Sequence, residues 1–272
     1  LREKGNSDDL QSKQLIKDLI SLSCIQKDID QYQKDHPESK VDQPEEYLVD
    51  FDISLIPDER TRKIGTSKDM LSGYALDVLA CAVSSLNGFL NSQDHQSGMN
   101  VLAIFDNYQI GGNTRIGAKS NLLESVFERI GCDDVTWANS SMINVENFNA
   151  FNPNDPKPSD QSDPVNLGDG LFVRAEMARV ASANLDFKAR LMMLAQQSGL
   201  SMTQYNVRPI NLCSIAQDTE IQVNVSTAIV GIGVMGLYSP RELIFQDYIA
   251  CLFKFISQYF DCFRNIPEVE DI

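Results

Sequence analysis

Three sets of residues have types and spacings that could do chemistry. Gly231-Ile-Gly233-Val-Met-Gly236 follows an apolar run and has the GxGxxG spacing that brings a backbone against a dinucleotide pyrophosphate. That use needs a helix opening within the glycines, so that its free N–H groups meet the phosphates. Tyr238-Ser239-Pro240 comes at once, and a proline there would break such a helix. No following strand ends in Asp or Glu. The expected role is therefore a glycine-bearing strand or turn that lets two backbones approach closely, with no cofactor bound.

Asp106 follows the apolar run Val101 to Phe105, and Asp133-Asp134 flanks a second short run, Val135 to Trp137. Carboxylates at strand ends are held rigidly, and these three could meet around a Mg²⁺ ion. The competing use is capping of loops and turns, for which Asp is well suited. The only histidines are His36, beside Pro37, and His95, in Asn91-Ser-Gln-Asp-His-Gln-Ser-Gly98. Both are expected in exposed loops. With no GxSxG and no GxxxxGK[ST], neither a serine nucleophile nor a phosphate loop is indicated, and no catalytic or metal-binding residue is assigned. The six cysteines lack any CxxC spacing and are expected as small buried hydrophobes. Cys251 and Cys262 lie on one predicted helix, ~16 Å apart by its rise per residue, too far for a disulfide with each other.

The 272 residues hold 38 Asp+Glu against 23 Lys+Arg, a formal net charge of -15. Affinity for nucleic acid comes from basic side chains displacing counterions, so a chain this acidic is expected to bind nucleic acid poorly and no direct nucleic-acid groove is evident. Hydrophobic residues at 43% exclude wholesale disorder. The chain opens on Leu1, which suggests trimming of an earlier N-terminus.

Helical spacing of Leu15, Ile16, Leu19, Leu22, Ile25 and Ile29 predicts an amphipathic helix over 8–35. Met70 to Leu90 is apolar on nearly every face apart from Asp77, and predicts one buried core helix. Val101–Phe105 and Val135–Trp137 are predicted strands. A helix is predicted to start at Asn121 and close on Gly131. Residues 152–164, with four prolines, predict a surface loop or hinge. Leu171–Ser198 is rich in strong helix formers and predicts one long helix. Ile221–Ile229 alternates as a strand.

Leu243 to Phe263 predicts a helix whose apolar arc spans about 200°, twice the usual stripe of roughly 100°. Phe245, Tyr248, Leu252, Phe253, Phe255, Ile256, Tyr259, Phe260 and Phe263 are accordingly assigned to an interface with other copies of the chain.

These elements predict an α+β protein, predominantly helical, with a small sheet. The expected divisions are a helical arm at 1–36, a mixed body at 37–150, a linker at 151–170 and a helical half at 171–272. The Arg174-Ala-Glu-Met-Ala-Arg and Arg190-Leu-Met-Met-Leu stretches resemble periplasmic parts of bacterial type IVB secretion machines. The acidic, motif-poor whole is similar to shell subunits of double-stranded RNA viruses. The expected function is a non-enzymatic, self-assembling shell protein located in a virion or capsid. An extracytoplasmic secretion-machine component in the bacterial envelope is one alternative, and a metal enzyme built on Asp106 and Asp133/Asp134 is another. Copies of itself are the expected partner. Other assembly proteins are allowed, and membrane contact has no feature to support it.

Overall fold

A computed structural model describes residues 14–15, 17–18, 25–38, 56–93, 98–106, 111–154, 156, 164–175, 185–206 and 225–268. The chain forms two compact units, Leu1–Leu55 and Ile56–Ile272. In the first, helix α1 (Ile25–Asp35) is the described element. His36 ends it, with its ring stacked on Tyr32 at 4.5 Å between centroids.

The second unit is built on two sheets. Strands β1 (Arg62–Ile64), β2 (Met70–Gly73) and β8 (Glu242–Phe245) form an antiparallel sheet in the order β1-β2-β8. The larger sheet runs β3-β7-β5-β6, from β3 (Ser141–Val145), β5 (Leu171–Ala175), β6 (Met202–Asn206) and β7 (Ser226–Val234). The short β4 (Phe148–Asn149) also pairs with β7. Pairing is parallel for β3–β7 and β5–β6 and antiparallel for β5–β7.

Central β7 is buried at every position after Ser226, because both its faces are covered. Ala228, Val230, Ile232 and Val234 join the main core on one face. Ile229 joins Phe148, Val165, Phe172 and Tyr205 on the other. Over the main core lie α2 (Leu76–Leu90), α5 (Leu185–Gln197) and α6 (Gln246–Cys262). Helices α2 and α6 cross closely where Gly88 meets Ile256; a Cβ on Gly88 would fall 2.7 Å from the isoleucine Cγ2.

Several expectations are corrected. The molecule is α/β with two sheets rather than predominantly helical with one small sheet. Met70–Leu90 divides into β2 and α2, with Tyr74-Ala75 between them and Ala75 left-handed at φ 52°. Leu171–Ser198 likewise divides: its Leu-Phe-Val start is a strand, and α5 begins only at Leu185. Val101–Phe105 has no regular structure. Asp134–Ala138 is a short helix, α4, following α3 (Leu122–Ile130). Strands β3 and β4, before the stretch 151–170, pair with β7 after it, so the chain on either side of that stretch shares one sheet.

Candidate active site

Helix α2 begins without a side-chain cap from its own N-cap residue. Its first-turn N–H groups need acceptors, and a distant strand supplies one. The Asp77 N–H donates to Glu242 Oε2 at 2.8 Å. The Tyr238 N–H donates to Glu242 Oε1 at 2.9 Å. One buried carboxylate thus ties the start of α2 to the turn before β8. Ala75 and Tyr238, both left-handed without being glycine, lie at these two contacts. Such conformations cost on the order of 1 kcal/mol or more each and persist where surroundings fix them.

The second tie is Asn147, buried between β3 and β4. Its Nδ2 donates to the Asp77 carbonyl at 2.9 Å, and its Oδ1 accepts the Ile232 N–H at 3.1 Å. Beside it, Glu146 is buried and accepts a hydrogen bond from Asn144 Nδ2 through Oε1. Gly231 permits this arrangement, since its missing Cβ leaves room for the Glu146 carbonyl.

Asp77, Glu146 and Glu242 are therefore three buried carboxylates in one neighbourhood. Burial, then repulsion from Glu242 and Glu146, pushes the Asp77 carboxyl up to about 7; Asn147 partly offsets this. Burial also pushes the neighbouring Cys81 thiol up, with Asp77 and Glu146 adding to the effect. Asp77 and Glu146 face a cavity of about 790 Å³. Its other walls are largely apolar and include Phe105, Phe127, Trp137, Ile143 and Phe260. The run Val101–Phe105, expected as a strand, lines this cavity as irregular chain.

The expected sites lie elsewhere. Asp133 caps α4 by accepting the Thr136 N–H at 2.8 Å and the Thr136 hydroxyl at 2.7 Å, which lowers its pKa. Asp106, Asp133 and Asp134 are all exposed, and among the described residues no group of three or more His, Cys, Asp or Glu could hold a metal. His36 belongs to the first unit, and His95 lies outside the described residues. The glycines of the GxGxxG run sit in β7 and the turn after it, with no helix opening among them.

Of the nine assigned interface residues, Leu252, Phe255, Ile256, Tyr259 and Phe263 are buried in this chain's own core. The Tyr259 hydroxyl pairs with Ser141 Oγ at 2.8 Å. Phe245, Tyr248, Phe253 and Phe260 are half-buried. The wide apolar arc is covered from two sides by α2, α5 and the larger sheet. Cys251 and Cys262 are both free, as is Cys81.

Sequence reasoning misses Glu146 and Glu242, whose roles arise only through tertiary contacts. Asp77 carries a signal, as the single charge in an otherwise apolar segment.

Comparison with known proteins places this geometry. The family model of the aminopeptidase I zinc metalloproteases (M18) matches residues 22–260. A probable M18 family aminopeptidase 2 of Clostridium acetobutylicum is 26% identical over 208 residues, covering 73% of this chain and 48% of that protein. Aspartyl aminopeptidase 1 of Schizosaccharomyces pombe is 25% identical over 239 residues, covering 81% and 50%. The chain thus spans about half the length of the curated relatives it matches. Among solved structures, yeast aminopeptidase 1 is similar at TM-score 0.69 and 21% identity, covering 78% of this chain and 50% of that one. The M18 aminopeptidase of Thermotoga maritima is similar at 0.66 and 19%, covering 76% and 49%.

These findings overturn the non-enzymatic shell protein, its virion or capsid location and the envelope secretion-machine alternative. The metal-dependent enzyme alternative is nearer in class, although the aspartates chosen for it are not brought together. The family description carries zinc, which takes three or four His, Cys or carboxylate ligands around one point. The described residues do not fit it: no such group forms among them, and each oxygen of Glu242 accepts a backbone N–H. In fold, in the stretch matched and in its named relatives, the chain belongs to the aminopeptidase I (M18) family.

Proposed function

We propose that the protein is an aminopeptidase-type enzyme that takes the free N-terminus of a peptide into the cavity beside Asp77 and Glu146. The observation that carries this reading is the pair of buried carboxylates facing a cavity whose other walls are largely, though not wholly, apolar. Carboxylates crowded in low dielectric repel one another, and an entering ammonium group relieves that repulsion. The apolar walls supply a surface for the side chain of the first residue. The names of the relatives, aminopeptidases of bacteria and yeast, support the same substrate class. The chain's described residues bind and orient the peptide end; no step is assigned to zinc, whose donors they do not furnish.

The test compares peptides with a free and an acetylated N-terminus, following binding by calorimetry and release of the first amino acid by mass spectrometry. The free peptide is expected to bind at least about tenfold more tightly, a difference of ~1.4 kcal/mol, and to be the one that loses its first residue. Equal handling of the two peptides overturns the proposal.

Self-association is a second reading. It is supported by the S. cerevisiae relative solved as a dodecamer, which is similar at TM-score 0.69 and 21% identity. It is supported also by Val78, Leu79, Val83, Leu86 and Leu90, which form an exposed apolar row on α2 at helical spacing.

A further inference from the structure

We infer that Asp77, Glu146 and Glu242 form a metal-free brace, so that this chain departs, at its buried acid cluster, from the zinc in its family's description. A zinc ligand must offer a free lone pair from a deprotonated group, and three or four must converge. Both Glu242 oxygens already serve the backbone: Oε2 accepts from the Asp77 N–H and Oε1 from the Tyr238 N–H. Moving either to a metal would uncap α2 or release the left-handed turn at Tyr238. The Oε1 of Glu146 is engaged by Asn144 Nδ2. The described residues of this unit include no histidine, and no group of three or more His, Cys, Asp or Glu among them could hold a metal. The donors that do face one another are hydrogen-bond partners of backbone and amide groups, which is the chemistry of a structural clamp. The elements clamped are the start of α2, the β3–β4 junction and the turn before β8.

The brace concerns the metal only and stands apart from the peptide-capture reading, so the two fail separately. The 272-residue chain is incubated with Zn²⁺, desalted, and its metal content measured by plasma mass spectrometry. Its melting temperature is followed with and without a chelator. Wild type, Asp77→Asn and Glu146→Gln are expected to retain the same zinc content as one another, and chelator is expected to leave the melting temperature unmoved. Zinc retained in stoichiometric amount by wild type, lost from either variant, and whose removal lowers the melting temperature, overturns the inference. Should one variant fail to fold, the other decides by the same two readouts. Peptide binding measured on the same samples reports on the capture reading, whatever the zinc result.

Discussion

Gly231→Ala tests the backbone geometry on which the acid cluster rests. In the register of the larger sheet Val145 faces Val230 and Phe148 faces Gly233. Glu146 and Asn147 bridge the gap between β3 and β4, and the Glu146 carbonyl leans over Gly231. A Cβ at that position would lie 1.8 Å from the Glu146 oxygen, 2.7 Å from its carbon and 3.0 Å from the Asn147 Cα. All three atoms are backbone, so no side chain can swing aside; relief needs a main-chain shift of at least about 1 Å at the junction that holds the cluster. Overpacking of a well-filled interior costs typically ~1–3 kcal/mol and occasionally more, and this contact belongs at the upper end, about 3 kcal/mol. Gly233→Ala is the internal control, two residues on in the same strand. Its nearest neighbour would be the Asn166 oxygen at 3.4 Å, an ordinary contact. With that room, alanine should be neutral or stabilising by a few tenths of a kcal/mol through the unfolded chain. Trp137, the single tryptophan, lines the cavity and reports unfolding in urea. With a urea slope near ~3 kcal/mol/M, the Gly231→Ala midpoint should fall by roughly 1 M while Gly233→Ala stays in place. If the two variants unfold within about 0.5 kcal/mol of each other, the close approach described here is wrong.

Two further outcomes are expected. The Asp77 carboxyl moves from 3.8 to about 7 on folding, so the folded chain keeps a proton that the unfolded chain has lost across that interval. Stability from this group is complete at the acid end and declines as pH rises through neutrality, by up to about 4 kcal/mol. Urea unfolding at about pH 5 and about pH 8 should show a loss in wild type that Asp77→Asn largely removes; parallel losses in both would contradict the assignment. For self-association, light scattering at micromolar concentration should give a mass that is a multiple of 30.4 kDa. Leu79→Glu with Leu86→Glu should return it to that of a single chain, and a wild type that is already monomeric refutes the reading.

How much of the fold and site is legible in the residues depends on what each residue answers to. The helix ending on Gly131 is readable because a left-handed glycine cap is a local matter, and Gly131 has φ 93°. The glycines of β7 are readable as a place of close backbone approach, and Gly231 takes that role. The start of β5 is not readable: Leu-Phe-Val runs on into strong helix formers, and a short apolar run does not say whether it is strand or helix. It is a strand because β6 and β7 flank it on both edges. The breadth of the α6 arc does signal a need for cover on two sides. For Leu252, Phe255, Ile256, Tyr259 and Phe263 the cover comes from within this chain, where α2 and α5 pack on α6, and those helices cannot be placed against it without the fold. Glu242 lies 165 residues from Asp77, a pairing that periodicity cannot reveal.

That separation has a bearing on how the molecule comes into being. On a ribosome, the segment that becomes α2 emerges long before the strand carrying Glu242, so the first turn of the helix stays open until the later stretch of chain arrives. Contacts of such long reach slow folding, since a large loop must be closed before they give any return. Synthesis that stops short of β8 would leave α2 unlatched and its neighbouring acids unclamped, so a stretch translated late is the one that locks the first helix of this unit in place.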